Sequence, residues 1–460
     1  MSELNQLSVK ILAKLIRGRE LTVSELLEHF IRKIERVNPK INALVQTDFA
    51  AARQAAFEAD QKLKDAHFIP DELFGIPFTA KDLYAVPNHI VTFGTKGLMN
   101  TLCHEETTVI SRLMRKGSIF LGLTNTPELG LSLETDNLIY GCTNHPLNPN
   151  YSSGGSSGGE AALIASYASP MGIAGDHGGG ARYPAHCCGV VTLRPSLGRL
   201  PQTGSVVPKR GWVALTSRIA PMTHNIDDLE ILFHAIQGGD GLDPYAERLK
   251  PSKKIKLRKN IRIAYLVDHH FSDLDPAIPS AIEELCQQLA LDGMHIEVIS
   301  TPLFEEGIAI ATQLFQADAG QGLNNLLQVL GTQEVSHQVQ SWLTQLPEQP
   351  MTLDQYLKLW AKWDEYKIKF LQLFQAYDAL LCPVSPQCAL PHGKTLEPNA
   401  IWQLIRYTAS ITLTECPVVV VPCGTNRQQL PIGMQIITKP WQDELALSLA
   451  KKMYVSMVDG

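Results

Sequence analysis

The chain has 460 residues, 45% apolar and 19% charged, which is ample material for a large buried core and unlike a disordered or collagen-like polypeptide. With 40 basic against 46 acidic residues the formal net charge is −6, so there is no electrostatic footprint for gripping nucleic acid or an anionic membrane. Nine cysteines in a long chain without a C-x-x-C pair argue against a disulfide framework and a ribbon-type zinc site. The opening MSELNQLSVKILAKL is amphipathic and carries no secretory-signal pattern, and no window reaches the roughly 18 apolar residues that span a bilayer. A cytoplasmic location is expected, with signal-free export left open.

In chain order, apolar residues recur at three and four positions from Val9 to Val37, and Thr22 to Glu25 reads as a capping box, so two helices are predicted. A third helix is predicted from Phe49 to Lys64, with an alanine-rich face suited to close packing on a sheet. Leu73 to Leu83 reads as a buried strand around Gly75 and Pro77, followed by a helix over Thr107–Lys116 and a strand over Ser118–Leu123. Two Gly-rich stretches, SSGGSSGG at 152–159 and AGDHGGG at 174–180, flank a helix-capable run, Glu160 to Ser166. Apolar segments abut these glycines directly, which disfavours a flexible linker.

Asp240 to Asn260 gathers proline and basic residues and is expected to be an exposed connection. Beyond it, a strand (Ile261–Val267), a helix (Ile278–Leu291) and a strand (His295–Ile299) form a β-α-β step with a right-handed crossover expected. Residues 303–376 are mostly helical, with Trp342, Trp360 and Trp363 read as core bulk rather than pocket lining. Strands at Val418–Val421 and Met434–Ile437 and a helix over Asp443–Tyr454 close the chain, with no internal repeat and no clear domain boundary.

Three clusters carry candidate chemistry. Lys81, flanked by Phe78, Leu83 and Tyr84, stands where an apolar environment would lower its pKa and supply a neutral amine as a base; a surface charge is the bland alternative. Ser156 and Ser157 lie between glycines, which form turns and also permit backbone geometries that aim a hydroxyl into a site. Gly178, Gly179 and Gly180 are equally readable as a tight turn or as successive N–H groups converging on a developing oxyanion.

Six blocks together resemble the amidase signature family of amide hydrolases: GIPFTAKD (75–82), TNTPELG (124–130), TDNLIYGCTNHPLNP (135–149), SSGGSSGGEAAL (152–163), GDHGGGARYPAHCCGVVTLRPSLGRLP (175–201), and PVVVVPCG with PIGMQII (417–437). The resemblance implies one α/β domain over 1–460, a twisted mixed sheet covered by helices on both faces. Its signature core would lie near 73–220 and a helical pocket wall near 303–376. It also implies a serine, cis-serine, lysine triad in which Lys81 is the base, Ser156 the serine after a cis peptide bond and Ser157 a supporting hydroxyl. The backbone of His177, Gly178, Gly179 and Gly180 matches the family's oxyanion loop, and Asp176 and Arg182 match its supporting aspartate and arginine.

One position departs from the pattern. The family's loop reads G-T/S-D-x-G-G-S-I-R and ends on the acylated serine, whereas this chain has AGDHGGGAR, so the nucleophile slot is Gly180. Gly175 and Ala181 differ as well, which reads as natural divergence rather than one engineered replacement. Where nucleophile and base act as a unit, losing the nucleophile costs on the order of a millionfold, roughly 8 kcal/mol. The expectation is therefore an amide hydrolase with conventional activity impaired or absent, or else an inactive relative that binds an amide-like ligand or a protein partner. Three further readings rank lower: rescue by Cys187 or Cys188, a water seated beside Gly180 and activated by Lys81 and Ser156, and a metal held by Asp176, His177, His186 and Cys187. No metal and no cofactor are expected. The expected partner is a small amide-type molecule, a homodimer is left open, and no nucleic acid or membrane span is expected.

Overall fold

The first helices form where local signals place them. Helix Val9–Arg17 opens on the Ser8 hydroxyl, which accepts from the Ile11 amide. At the start of helix Val23–Ile41, Thr22 and Glu25 exchange the two hydrogen bonds of a capping box, at 3.1 and 3.0 Å. Helix Phe49–Leu63 buries Ala52, Ala56 and Ala59, spaced along one face, against helix Val23–Ile41 and the sheet. The computed structural model describes residues 4–247, 257–258, 260–267, 274–396 and 400–458.

The sheet has eleven strands: β1 (Leu44–Thr47), β2 (Pro77–Lys81), β3 (Ile119–Thr124), β4 (Met171–Asp176), β5 (Val191–Arg194), β6 (Arg218–Thr223), β7 (Arg262–Val267), β8 (His295–Ser300), β9 (Ala379–Pro383), β10 (Val418–Thr425) and β11 (Pro431–Thr438). Their spatial order is β1-β3-β2-β4-β6-β5-β10-β11-β9-β7-β8. The β3–β2, β2–β4, β9–β7 and β7–β8 pairs are parallel and the others antiparallel. The molecule is a single large α/β domain on a mixed sheet with helices on both faces. β2, β4, β6 and β11 are buried along their whole length, as strands covered on both sides must be, while the edge strand β8 (HIEVIS) exposes half its residues or more.

Several boundaries differ from those read in the sequence. The strand expected over Leu73–Leu83 is confined to Pro77–Lys81, because Gly75 turns with φ +77° and a Cβ there would press on Val23. β1 was not anticipated: four residues at the sheet edge leave no periodic signal. The connection expected over Asp240–Asn260 falls partly outside the described residues, at 248–256 and 259. Just before it, Arg112 clamps the carbonyls of Ile236, Gln237, Gly238 and Gly239 at 2.6–3.1 Å, and at its start Asp240 accepts from the Thr108 hydroxyl at 2.7 Å. The stretch 303–376 forms four helices, Leu303–Gln316, Gln321–Leu330, His337–Thr344 and Leu353–Ala376.

Under helix Gly158–Ala165, Glu160 is fully buried between β2, β3 and β4, where Gly172 leaves room for its carboxyl group. The Thr79 and Thr124 hydroxyls donate to its two oxygens, the latter at 2.9 Å. Burial nevertheless pushes its pKa up to about 7. The fold therefore holds the proton more tightly than the unfolded chain, and this group's contribution to stability falls as pH rises from the ordinary glutamate range to about 7. Glu160→Gln removes the titration. Its melting temperature relative to the parent is expected to rise between pH 5 and pH 8 (approximate limits of that window). A constant difference would show that the carboxyl group titrates normally.

Candidate active site

Lys81 is the last residue of β2, held in register opposite Thr124 of β3, so its side chain leaves the sheet at a strand end and enters the interior. It is 2% exposed, and its Nζ donates to Ser156 Oγ at 2.7 Å. Burial lowers the amine's pKa to about 7 and the nearby positive charge of Lys209 adds to this, against the smaller opposing effects of Asp176 and Asp82. At neutral pH a large fraction of the amine is therefore unprotonated.

Ser156 follows a cis peptide bond with Gly155. Its neighbour Ser157 fastens this turn to the strand beside it. The Ser157 hydroxyl donates to Gly175 O at 3.1 Å and accepts from Gly175 N at 3.2 Å, and its amide donates to Gly180 O at 2.8 Å. These bonds hold Ser156 against position 180.

The glycine loop runs from the end of β4 to helix Arg182–Cys188 and is anchored by a buried ion pair. Asp176 receives Arg182 Nη2 at 2.8 Å and Arg182 Nε at 3.0 Å, with Arg194 Nε at 3.4 Å. Burial alone would raise the Asp176 pKa, but the two guanidinium groups outweigh it and hold the carboxylate well below its usual range. Arg182 also reaches Gln435 Oε1 at 2.8 Å and Thr412 Oγ1 at 2.6 Å, tying the loop to β11 and to helix Arg406–Thr412. Gly178 and Gly179 take φ of +73° and +122°, and Thr408 lies where a Gly179 Cβ would stand while donating to Gly178 O at 2.8 Å. Among the described residues the amides of Gly178, Gly179 and Gly180 donate to no backbone or side-chain acceptor.

Gly180 stands directly against Ser156: a Cβ at 180 would lie 2.6 Å from Ser156 Oγ and 3.0 Å from Gly175 O. The room that the sequence assigned to a water is thus partly taken by the Ser156 hydroxyl, drawn there by Lys81. The Gly180 φ lies outside the left-handed region, so its backbone does not itself demand glycine. A similar adjustment occurs at Gly175, where a Cβ would come 2.8 Å from Tyr84 Oη, a hydroxyl that donates to Ala174 O at 3.0 Å. Both glycines have neighbours fitted to the absence of a side chain.

The Amidase family profile matches residues 25–447 of this chain. The chain belongs to the amidase family. It is 29% identical to the glutamyl-tRNA(Gln) amidotransferase A subunit of Sulfurihydrogenibium sp. (strain YO3AOP1), over 98% of this chain and 97% of that protein. Its fold matches fatty acid amide hydrolase with a TM-score of 0.89 at 21% identity, covering 99% of this chain and 86% of the other. It also matches 6-aminohexanoate cyclic dimer hydrolase with a TM-score of 0.84 at 22% identity, covering 98% and 97%.

Within this amidase fold the structure brings Lys81, Ser156, Ser157, Asp176, His177, Arg182 and the three glycines into one site. The weaker candidates lie apart from it. Cys187 and Cys188 are buried off the cavity, their thiols pushed well up in pKa by burial, and Cys188 donates to Ser153 O at 3.4 Å. His186 engages Gln387 O and the Gly433 amide at 3.0 and 2.8 Å, while Asp176 is committed to arginines. Among the described residues no three His, Cys, Asp or Glu side chains are grouped to hold a metal ion. No helix among them is long and apolar enough to cross a membrane.

A cavity of about 990 Å³ opens over Lys81, Ser156 and the glycine loop. Its far wall is aromatic: Trp212, Phe315, Trp342 and Trp402 meet edge to face or tilted at 5.0–6.0 Å. The expectation that all three tryptophans of 303–376 are core is corrected for Trp342, which lines this cavity. Trp363 is buried and donates to Leu413 O at 2.8 Å, with Trp360 packed on it. His177 faces the same wall, its Nδ1 bonded to Ser217 Oγ at 2.8 Å, and burial with the nearby Lys209 keeps the ring neutral with a pKa of about 3. Sequence reading missed Lys209, Trp212 and Arg218, which lie in a segment with no periodic or motif signal.

The Asp176 ion pair gives a direct test of the loop's anchor. Asp176→Asn leaves Arg182 and Arg194 without their carboxylate, and destabilisation of about 3–5 kcal/mol is expected in urea unfolding. A loss within about 0.5 kcal/mol would show that the loop does not depend on this pair.

Proposed function

We propose that this amidase-family chain binds a carboxylic amide in the cavity over Lys81 and hydrolyses its C–N bond slowly, with no acyl-enzyme at residue 180. The observation that carries the reading is the 2.7 Å hydrogen bond between a buried lysine, its pKa lowered to about 7, and Ser156 Oγ, next to free glycine amides and beside a residue without a side chain. The amide carbonyl accepts from the loop amides at 178–180, which stabilise the tetrahedral oxyanion. A water oxygen forms the new bond to the carbonyl carbon, and its proton passes through the Ser156 hydroxyl to Lys81. The C–N bond then breaks as the lysine ammonium returns a proton by the same path to the leaving amine. Ser157, Asp176 and Arg182 position the two loops, and the helices of 303–376 wall the ligand.

A second reading, an amide-binding protein with no turnover, draws on the position of Ser156 Oγ, which crowds the space an attacking water needs. Kinetics on a panel of amides separates the two. Slow hydrolysis that rises with pH through about 7, as the Lys81 amine loses its proton, and disappears in Lys81→Ala supports the hydrolase. Equal residual activity in Lys81→Ala contradicts it, and no activity at any pH favours the binder. Gly180→Ser, which needs the Ser156 hydroxyl to turn aside, is expected to raise turnover about a thousandfold or more. An unchanged rate would mean that the attacking group of this site does not belong at residue 180.

A further inference from the structure

The charge on the cavity wall is opposite in sign to that of the chain. Overall the protein carries −6. Beside the Lys81 amine, the cavity is lined by three cationic side chains, Lys209, Arg210 and Arg218, and by two acidic ones, Asp176 and Asp318. Asp176 is already matched by Arg182 and Arg194. Asp318 is at the exposed end, accepting from the Gly320 and Gly322 amides at 2.8 Å each.

Two of the cations, Arg218 and Lys209, line this cavity with no carboxylate within ion-pair distance among the described residues. Arg218 begins β6 as the cross-strand partner of Asp176, next to Ser217, whose hydroxyl holds His177. Its Nη1 donates to Leu215 O and Ser217 O at 2.8 and 2.6 Å, but Nε and Nη2 are shut off from solvent and have no hydrogen-bond partner among the described residues. His177 Nε2 is likewise enclosed and unpartnered. Lys209 is half-buried, its Nζ 5.4 Å from the Phe93 ring centre, and no carboxylate among the described residues lies within ion-pair distance of it. Lys209 and Arg218 line the same cavity as Lys81, His177 and the glycine loop, and the charges of both act on His177. Burial lowers their pKa values only to about 8 and about 10, so both stay mainly charged at neutral pH.

Enclosed donors and an unpaired ammonium in an aromatic cavity are costly unless an anion completes them. We propose that Lys209 and Arg218 form an anion subsite beside the glycine loop, and that the ligand is an amide that also carries a carboxylate. This rests on the amide-binding reading above for the ligand's second group, but not for the subsite itself.

The test uses three probes and isothermal titration calorimetry on the whole chain: 4-carbamoylbenzoate, its uncharged methyl ester, and benzoate. The carboxylate amide is expected to bind about tenfold tighter than the ester. Lys209→Met, at a half-buried position, should remove about tenfold of the affinity for 4-carbamoylbenzoate and for benzoate while changing that for the ester less than about twofold. Arg218→Lys, which keeps the charge but loses the fork of donors, should weaken the same two probes. Equal affinity for acid and ester, or variants that weaken all three probes alike, would overturn the subsite. Benzoate binding that depends on Lys209, with no gain from the carbamoyl group, would leave the subsite standing and remove the amide reading instead. No binding of any probe would overturn both.

Discussion

A lysine amine taken out of water and given one serine hydroxyl as its partner is the constraint around which this site is built. Removing Lys81 from solvent brings its pKa down to about 7, and that is tolerable because the neutral amine, unlike the ammonium, survives in an apolar enclosure. The hydrogen bond to Ser156 needs the serine turn held in place, which Ser157 does through Gly175 and Gly180. Those glycines in turn need the strand end and the loop fixed, and the Asp176–Arg182–Arg194 cluster does that from beneath. A change in any layer reaches the amine through contacts of less than 3.5 Å.

Replacing a hydroxyl-bearing residue by glycine would leave a gap if nothing else moved. Here the Ser156 hydroxyl lies 2.6 Å from where a 180 Cβ would be, and the Tyr84 hydroxyl 2.8 Å from where a 175 Cβ would be. These two hydroxyls take space that side chains at 180 and 175 would need, next to the Lys81–Ser156 hydrogen bond and the loop amides. On the proposed reading, a lysine acting as base with no side chain to activate at residue 180 favours holding a polarised carbonyl over rapid acyl transfer.

Much of the fold was legible because its signals are local. The Thr22–Glu25 capping box, the alanine face of helix Phe49–Leu63 and the β7–helix–β8 step were all readable from spacing alone. Family membership was legible from the order of six sequence blocks. Composition alone left Gly178–Gly180 undecided between a turn and an anion cradle. What stayed hidden depends on residues distant in sequence: Tyr84 against Gly175, Trp342 turned into the cavity, and Arg218 set beside Asp176 only by the β4–β6 register. The four-residue β1 escaped because an edge strand of that length has no room for a period.

The central proposal is that Lys81 serves as base at a centre where residue 180 offers no attacking side chain. Intact-protein and peptide mass spectrometry after treatment with a serine-reactive fluorophosphonate tests it most directly. The account predicts that the chain as it stands stays unlabelled, and that a serine introduced at residue 180 becomes the modified residue. A phosphonyl adduct on Ser156, or on any other serine of the unaltered chain, would contradict it.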